Sequence, residues 1–207
     1  MRGIVWVGAL LVAGAPITSA LAQSYEQQFD LCTKGDASDG KIEACAAVIA
    51  ANREPAANMA RIYFIRGLAN RRLGRNDKAL ADYNQSLKLD PGSSDVFNSR
   101  CYLFAITDRL QDAVRDCNEA LRLKPANQYA YDSRAFAYLK LGMLDASIAD
   151  YDSALNLEPG RPYSLFGRGV ARKRKGDAAA GEADMAAAAA KVPGIAEEFA
   201  RYGVTGK

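Results

Sequence analysis

The sequence predicts an all-α solenoid of stacked antiparallel helix hairpins, about four to five units followed by a C-terminal capping helix. Three periodic columns predict it. Pro91, Pro125, Pro159 and Pro193 are each 34 residues apart. Arg66, Arg100, Arg134 and Arg168 keep the same step, and so do Asp82, Asp116, Asp150 and Asp184. A fixed period of this length is one supersecondary unit repeated and stacked. Such an array offers a surface to a partner rather than an enclosed site for chemistry.

Residues 1–22 read as a leader. Arg2 gives a short positive start, Ile4 to Ala15 is an apolar run, and Ala20-Leu21-Ala22 is an A-x-A cleavage signature. The run falls short of the ~20 apolar residues that a membrane span needs. The alternative is an uncleaved anchor. Cleavage after Ala22 would make Gln23 the first mature residue. No Cys follows the cleavage signature, so lipid anchoring is not expected, and no later segment is apolar for long enough to span. The expected compartment is the periplasm, or the exterior of a secreting cell.

Residues 23–57 read as an irregular helical hairpin, from a helix over Tyr25 to Thr33 and a second over Asp39 to Ala50. Ile42, Cys45 and Val48 of the second helix align with Val114, Cys117 and Ala120 further on. Its proline, Pro55, arrives about two residues late.

Four regular units fill 58–193. In the first, Met59 to Leu73 is apolar at helical spacing and Gly74 ends it, with Arg71 and Arg72 complementing the helix dipole. Asp77 is expected to cap the second helix, which carries Ala79, Leu80, Tyr83, Leu87 and Leu89 and breaks at Asp90-Pro91-Gly92. The second unit runs Ser94 to Thr107 and Leu110 to Leu123. The third runs Gln128 to Leu141, ended by Gly142, and Asp145 to Leu157, with Asp145 as the expected cap. The fourth runs Pro162 to Lys175 and Ala178 to Lys191. In 194–207, Ile195 to Tyr202 is amphipathic and is expected to cap the far end, since arrays must shield their terminal apolar faces.

Cys32, Cys45, Cys101 and Cys117 form two local pairs in sequence. In an exported protein an even count reads as disulfides. Of three connectivities, Cys32–Cys45 and Cys101–Cys117 are favoured, because each joins the two helices of one hairpin. Closures of ~15 residues stabilise by about 3 kcal/mol in the chain-entropy model. Free thiols, or a metal or redox role, are the alternatives; there is no C-x-x-C motif and the spacing does not suit a zinc ribbon.

The chain has no histidine, which removes the commonest general base and the His-dependent nucleophile pairs and zinc sites. The acidic residues recur in a column, as structural groups do, so no enzyme, cofactor or metal is expected. A formal net charge of +3 does not argue for nucleic acid. The basic stretch Arg168 to Lys175 reads as a solvated helix end, with a contact to anionic lipid or an acidic partner as the minority reading. The Arg and Asp columns read as a structural ladder, paired within a unit or between neighbours, since guanidinium forks suit carboxylates.

The units resemble tetratricopeptide repeats (TPRs). The signature places of that family hold Tyr63, Arg66, Gly67, Asn70, Ala79, Tyr83 and Pro91 in the first unit. They hold Phe97, Arg100, Cys101, Phe104, Ala113, Cys117 and Pro125 in the second. In the third they hold Tyr131, Arg134, Ala135, Tyr138, Ser147, Tyr151 and Pro159; in the fourth, Leu165, Arg168, Gly169, Arg172, Gly181, Met185 and Pro193. The match covers about Met59 to Pro193 and is weaker in the fourth unit. Arg replaces the usual leucine throughout, Asn70 and Arg172 replace an aromatic, and Cys101 and Cys117 replace a facing small–aromatic pair, which supports a disulfide there.

The resemblance implies a concave side lined by first helices. Its inward set is Phe64, Leu68, Asn98, Ser99, Tyr102, Tyr129, Asp132, Ser133, Phe136, Tyr163 and Phe166, an aromatic groove suited to a peptide or helix. Some of these aromatics would instead pack against neighbouring helices. The Lys, Asn and Arg with which this family grips a C-terminal carboxylate are absent from the matching places, apart from Asn98 nearby. The expected function is a non-enzymatic interaction module for a protein or peptide of the cell envelope. The alternatives are a binder of a cell-wall glycan or stem peptide, and a structural envelope subunit.

Overall fold

A computed structural model describes residues 17–206, so the apolar run of the expected leader lies outside the described residues. The described residues form eleven helices and no strand. They are α1 (Ile17–Lys34), α2 (Asp39–Ala51), α3 (Ala56–Arg72), α4 (Asn76–Leu89), α5 (Ser94–Ile106), α6 (Leu110–Leu123), α7 (Gln128–Lys140), α8 (Leu144–Leu157), α9 (Pro162–Lys175), α10 (Ala178–Lys191) and α11 (Ile195–Arg201).

Proline and glycine set the repeat locally. A residue before proline is driven out of the α region. Asp90, Lys124, Glu158 and Val192 therefore end α4, α6, α8 and α10 in nearly one conformation, with φ −136°, −140°, −139° and −132°. First helices end through a left-handed residue, where glycine lacks the Cβ penalty. Gly74 and Gly142 adopt φ +73° and +74°. The second unit has Asp108 at that place, at φ +61°.

Two expected caps shift. Asp77 and Asp145 lie inside the first turns of α4 and α8, and the capping positions belong to Arg75 and Met143, neither of which makes a side-chain cap bond. The two carboxylates still favour the positive helix ends. Similarly, Pro55 does not terminate the N-terminal hairpin from outside the repeats but occupies the N-cap of α3, which begins at Ala56 instead of Met59. Ser38 caps α2 by accepting from Lys41 N at 3.2 Å.

Consecutive helices pack antiparallel, and the first helices α3, α5, α7 and α9 also touch one another in series, whereas α4, α6, α8 and α10 touch no member of their own series. The first helices are thus the crowded, concave layer. Cys32–Cys45 ties α1 to α2, and Cys101–Cys117 ties α5 to α6. All four cysteines are fully buried. The second bridge replaces a steric fit used elsewhere: a Cβ on Gly67 would lie 2.6 Å from the Tyr83 ring, and one on Gly169 would lie 2.7 Å from Met185.

The Arg and Asp columns join both layers. Each Arg forks onto the Asp of its own unit: Arg66 on Asp82, Arg100 on Asp116, Arg134 on Asp150 and Arg168 on Asp184, with closest approaches of 2.6, 2.6, 2.7 and 2.8 Å. Three of them also reach the preceding unit, to Asn84, Asn118 and Asp152 at 2.7, 2.6 and 2.7 Å. Arg134 lies between the rings of Tyr131 and Tyr138, and Arg100 between Phe97 and Phe104. In these two units arginine thus fits where the family has leucine: its stem and fork are held between aromatic faces. At the two polar departures a second donor takes the ring's place, Asn70 to Asp82 at 3.0 Å and Arg172 to Asp184 at 2.8 Å.

Candidate functional site: the concave groove

The inward faces of α3, α5, α7 and α9 come together around an open pocket of about 320 Å³. Seven of the expected groove residues line it: Asn98, Ser99, Tyr102, Tyr129, Asp132, Ser133 and Tyr163. Phe64 and Leu68 do not. They pack into a separate apolar cluster with Ala79, Tyr83 and Leu103. Phe136 and Phe166 are 6% and 3% exposed, covered by the C-terminal segment. Tyr129 and Tyr163 remain exposed at the mouth.

Sequence reasoning missed Arg71, Arg161 and Glu198, which supply most of the pocket's charge. Arg71 follows Phe64 and Leu68 by seven and three residues, a helical spacing that places it on the same face. Arg71 stacks over Tyr102 at 5.1 Å and makes no ion pair among the described residues. Arg161 stacks over Tyr129 at 4.5 Å and pairs with Glu158 at 2.8 Å.

Asp132 is the groove's inner acid. Ser164 donates to it at 2.5 Å, yet burial dominates and holds its carboxyl above the ordinary aspartate range. Burial likewise raises the phenols of Tyr102 and Tyr151. Protonated phenols and a reluctantly charged acid make this part of the groove a hydrogen-bonding surface, with Arg71 as its cation.

α11 packs on α9 and α10 and turns its aromatic side chains inward. Phe199 sits 4.7 Å from the Phe166 ring and meets Phe136 edge-on at 5.6 Å, and Tyr202 meets Phe136 edge-on at 6.2 Å. Tyr163 donates to Glu198 at 2.9 Å.

The basic stretch after Arg168 is spent internally. Arg172 pairs with Asp184, Lys173 with Glu182 and Lys175 with Asp145, while Arg174 donates to the Thr205 carbonyl. Among the described residues no group of acids and cysteines is placed to hold a metal, and no helix is long and apolar enough to cross a membrane.

Models of the tetratricopeptide repeat match residues 60–93 and 129–161, the first and third regular units. This chain is a tetratricopeptide repeat protein. Repeats of this kind suit protein–protein interaction. No curated protein sequence matches the chain significantly. Among solved structures, a crystal structure of MamA aligns with TM-score 0.65 and 22% identity over 82% of this chain and 96% of that one. MamA 41-end from Desulfovibrio magneticus aligns with TM-score 0.67 and 16% identity, covering 81% and 92%. A tetratricopeptide repeat protein from Parabacteroides merdae aligns with TM-score 0.66 and 22% identity, covering 87% and 74%. At these identities the likeness is one of fold, so the TPR chain's own groove must carry any statement about what it holds.

Proposed function

We propose that this TPR protein is an exported, non-enzymatic interaction module that holds a protein or peptide segment of the cell envelope in its concave groove. The observation that carries this reading is the open pocket, where the unpaired guanidinium of Arg71 lies beside exposed Tyr129 and Tyr163. Large rigid aromatics and arginine are the side chains that most often anchor a partner. Export is supported by the leader-like start and by two buried disulfides, which persist in oxidising compartments. Acid–base chemistry finds no support, since each ladder acid is engaged by an arginine and repeated in every unit.

The test is crosslinking in the envelope of the full chain tagged after Lys207, beside an Arg71→Glu, Tyr129→Ala variant confirmed folded. Loss of one dominant partner in the variant supports the groove. A partner that persists unchanged contradicts it. Capture of no protein by either, together with direct binding of cell-wall fragments by the wild type only, would replace the peptide with a glycan or stem peptide.

A further inference from the structure

A short helix of this chain covers one end of the groove. α11 is seven residues long and is joined to α10 through Val192, Pro193 and Gly194, the last in the left-handed region at φ +86°. Ile195 and Val204 anchor its two ends in the core, and on the concave side its contacts are few. Phe199 inserts among Phe136, Phe166 and Tyr163, Tyr202 covers Phe136, and Glu198 accepts from Tyr163. The opposite face of α11, with Ala196, Glu197, Ala200 and Arg201, is exposed.

The fit beneath it is incomplete. A cavity of about 30 Å³ remains under Phe199 and Tyr202, and the buried Tyr151 hydroxyl lining it has no protein partner. Interiors normally leave few such voids, and lining atoms there lose contacts. Beside α11 the wider pocket stays open, lined by Arg71, which makes no ion pair among the described residues. A segment of the same chemistry would find the same seat, its acid on Tyr163 and its aromatics on Phe136 and Phe166.

We propose that α11 is a displaceable occupant of the groove, and that the partner segment replacing it is an amphipathic helix of matching chemistry: an acidic residue followed by two aromatics three residues apart. This rests on the reading of the groove as the binding surface. The pattern is that of Glu198, Phe199 and Tyr202. Because α11 is tethered, it competes at an effective concentration of order millimolar, so an incoming segment binds the intact chain weakly until α11 is loosened.

The probe is a labelled peptide with the sequence of residues 194–206, titrated against the full chain and against its Phe199→Ala, Tyr202→Ala variant. The variant is expected to bind about ten-fold or more tightly than wild type, because its own occupant competes less. A peptide with both aromatics changed to alanine is expected to bind neither. Equal or absent binding to both chains, with the variant folded by circular dichroism, overturns the proposal. Should the variant not fold, hydrogen exchange on wild type with excess unlabelled peptide decides. Faster exchange confined to Phe199–Val204 supports displacement, and unchanged exchange overturns it. If the peptide is refused while the Arg71→Glu, Tyr129→Ala variant still loses its envelope partner, the groove reading stands and this inference fails. If the peptide displaces α11 while that variant keeps its partner, α11 is displaceable and the groove reading fails.

Discussion

Arg134 and Asp150 form a two-point bond between α7 and α8: Nε and Nη2 of the guanidinium lie 2.7 and 2.8 Å from the two carboxylate oxygens. The remaining Nη1 lies 2.6 Å from Asn118 of the previous unit. One side chain therefore couples three helices, and the same device recurs at Arg100 and Arg168.

Arg134→Ala leaves the Asp150 carboxylate, only 7% exposed, without its cation. Breaking such a pair costs about 3 kcal/mol. The melting temperature should fall by roughly 6–12 °C for an array of this size. Arg66→Ala should cost visibly less, because Asn70 still donates to Asp82 and Arg66 has no bond to a preceding unit. Calorimetry of both variants checks the order; equal losses would contradict the ladder's role in coupling units.

The Cys101–Cys117 bridge closes 16 residues. Its removal in Cys101→Ala, Cys117→Ala should cost about 3 kcal/mol. A Cys101→Gly, Cys117→Tyr chain copies the Gly67–Tyr83 fit of the first unit and should recover much of that loss. Urea unfolding of the two double variants distinguishes them. No recovery would mean that the steric pair and the bridge are not interchangeable.

Asp132 carries a pH signature. Its folded carboxyl is held above the unfolded value by burial, opposed by Ser164 and Arg161 and assisted by Glu158. Stability from this group is therefore fully present below the unfolded pKa and is lost as pH rises through the folded value. Asp132→Asn keeps an acceptor for Ser164 and removes the charge. Its melting temperature relative to wild type should rise as the pH is raised above the ordinary aspartate range. A flat difference would show that Asp132 is not burdened by its burial.

Gly167 lies tight against the third unit, where an added Cβ would stand 2.1 Å from the Tyr151 hydroxyl. Gly167→Ala should destabilise by about 1–3 kcal/mol through overpacking. Gly40→Ala, where the nearest atom would be 3.8 Å away, is the control in thermal melts. Similar effects at the two sites would contradict the tight junction.

The helical array was legible because proline and glycine act locally. Pro91 and its counterparts dictate the conformation of the residue before them, and Gly74 and Gly142 dictate a chain reversal, whatever surrounds them. Paired helices then follow from spacing alone. The inward positions of Asn98, Tyr102, Tyr129 and Asp132 were legible from the repeat register. The position of α11 was not, because amphipathicity says that Ile195 and Phe199 must be buried without saying against what. For the same reason Phe136 and Phe166 read as open groove although Phe199 covers them. Arg161 escaped notice because it precedes α9 and enters the groove by stacking on Tyr129, a contact between units that no single repeat displays.

The most direct test of the groove as the binding surface is site-specific photocrosslinking in the envelope. One chain carries a photoreactive residue in place of Tyr129, at the mouth of the concave pocket; another carries it in place of Arg115, exposed on α6 in the opposite layer. The groove reading predicts a discrete adduct from position 129 and none from position 115. A discrete adduct from position 115 with none from 129 would contradict it and move the interaction surface to the convex side.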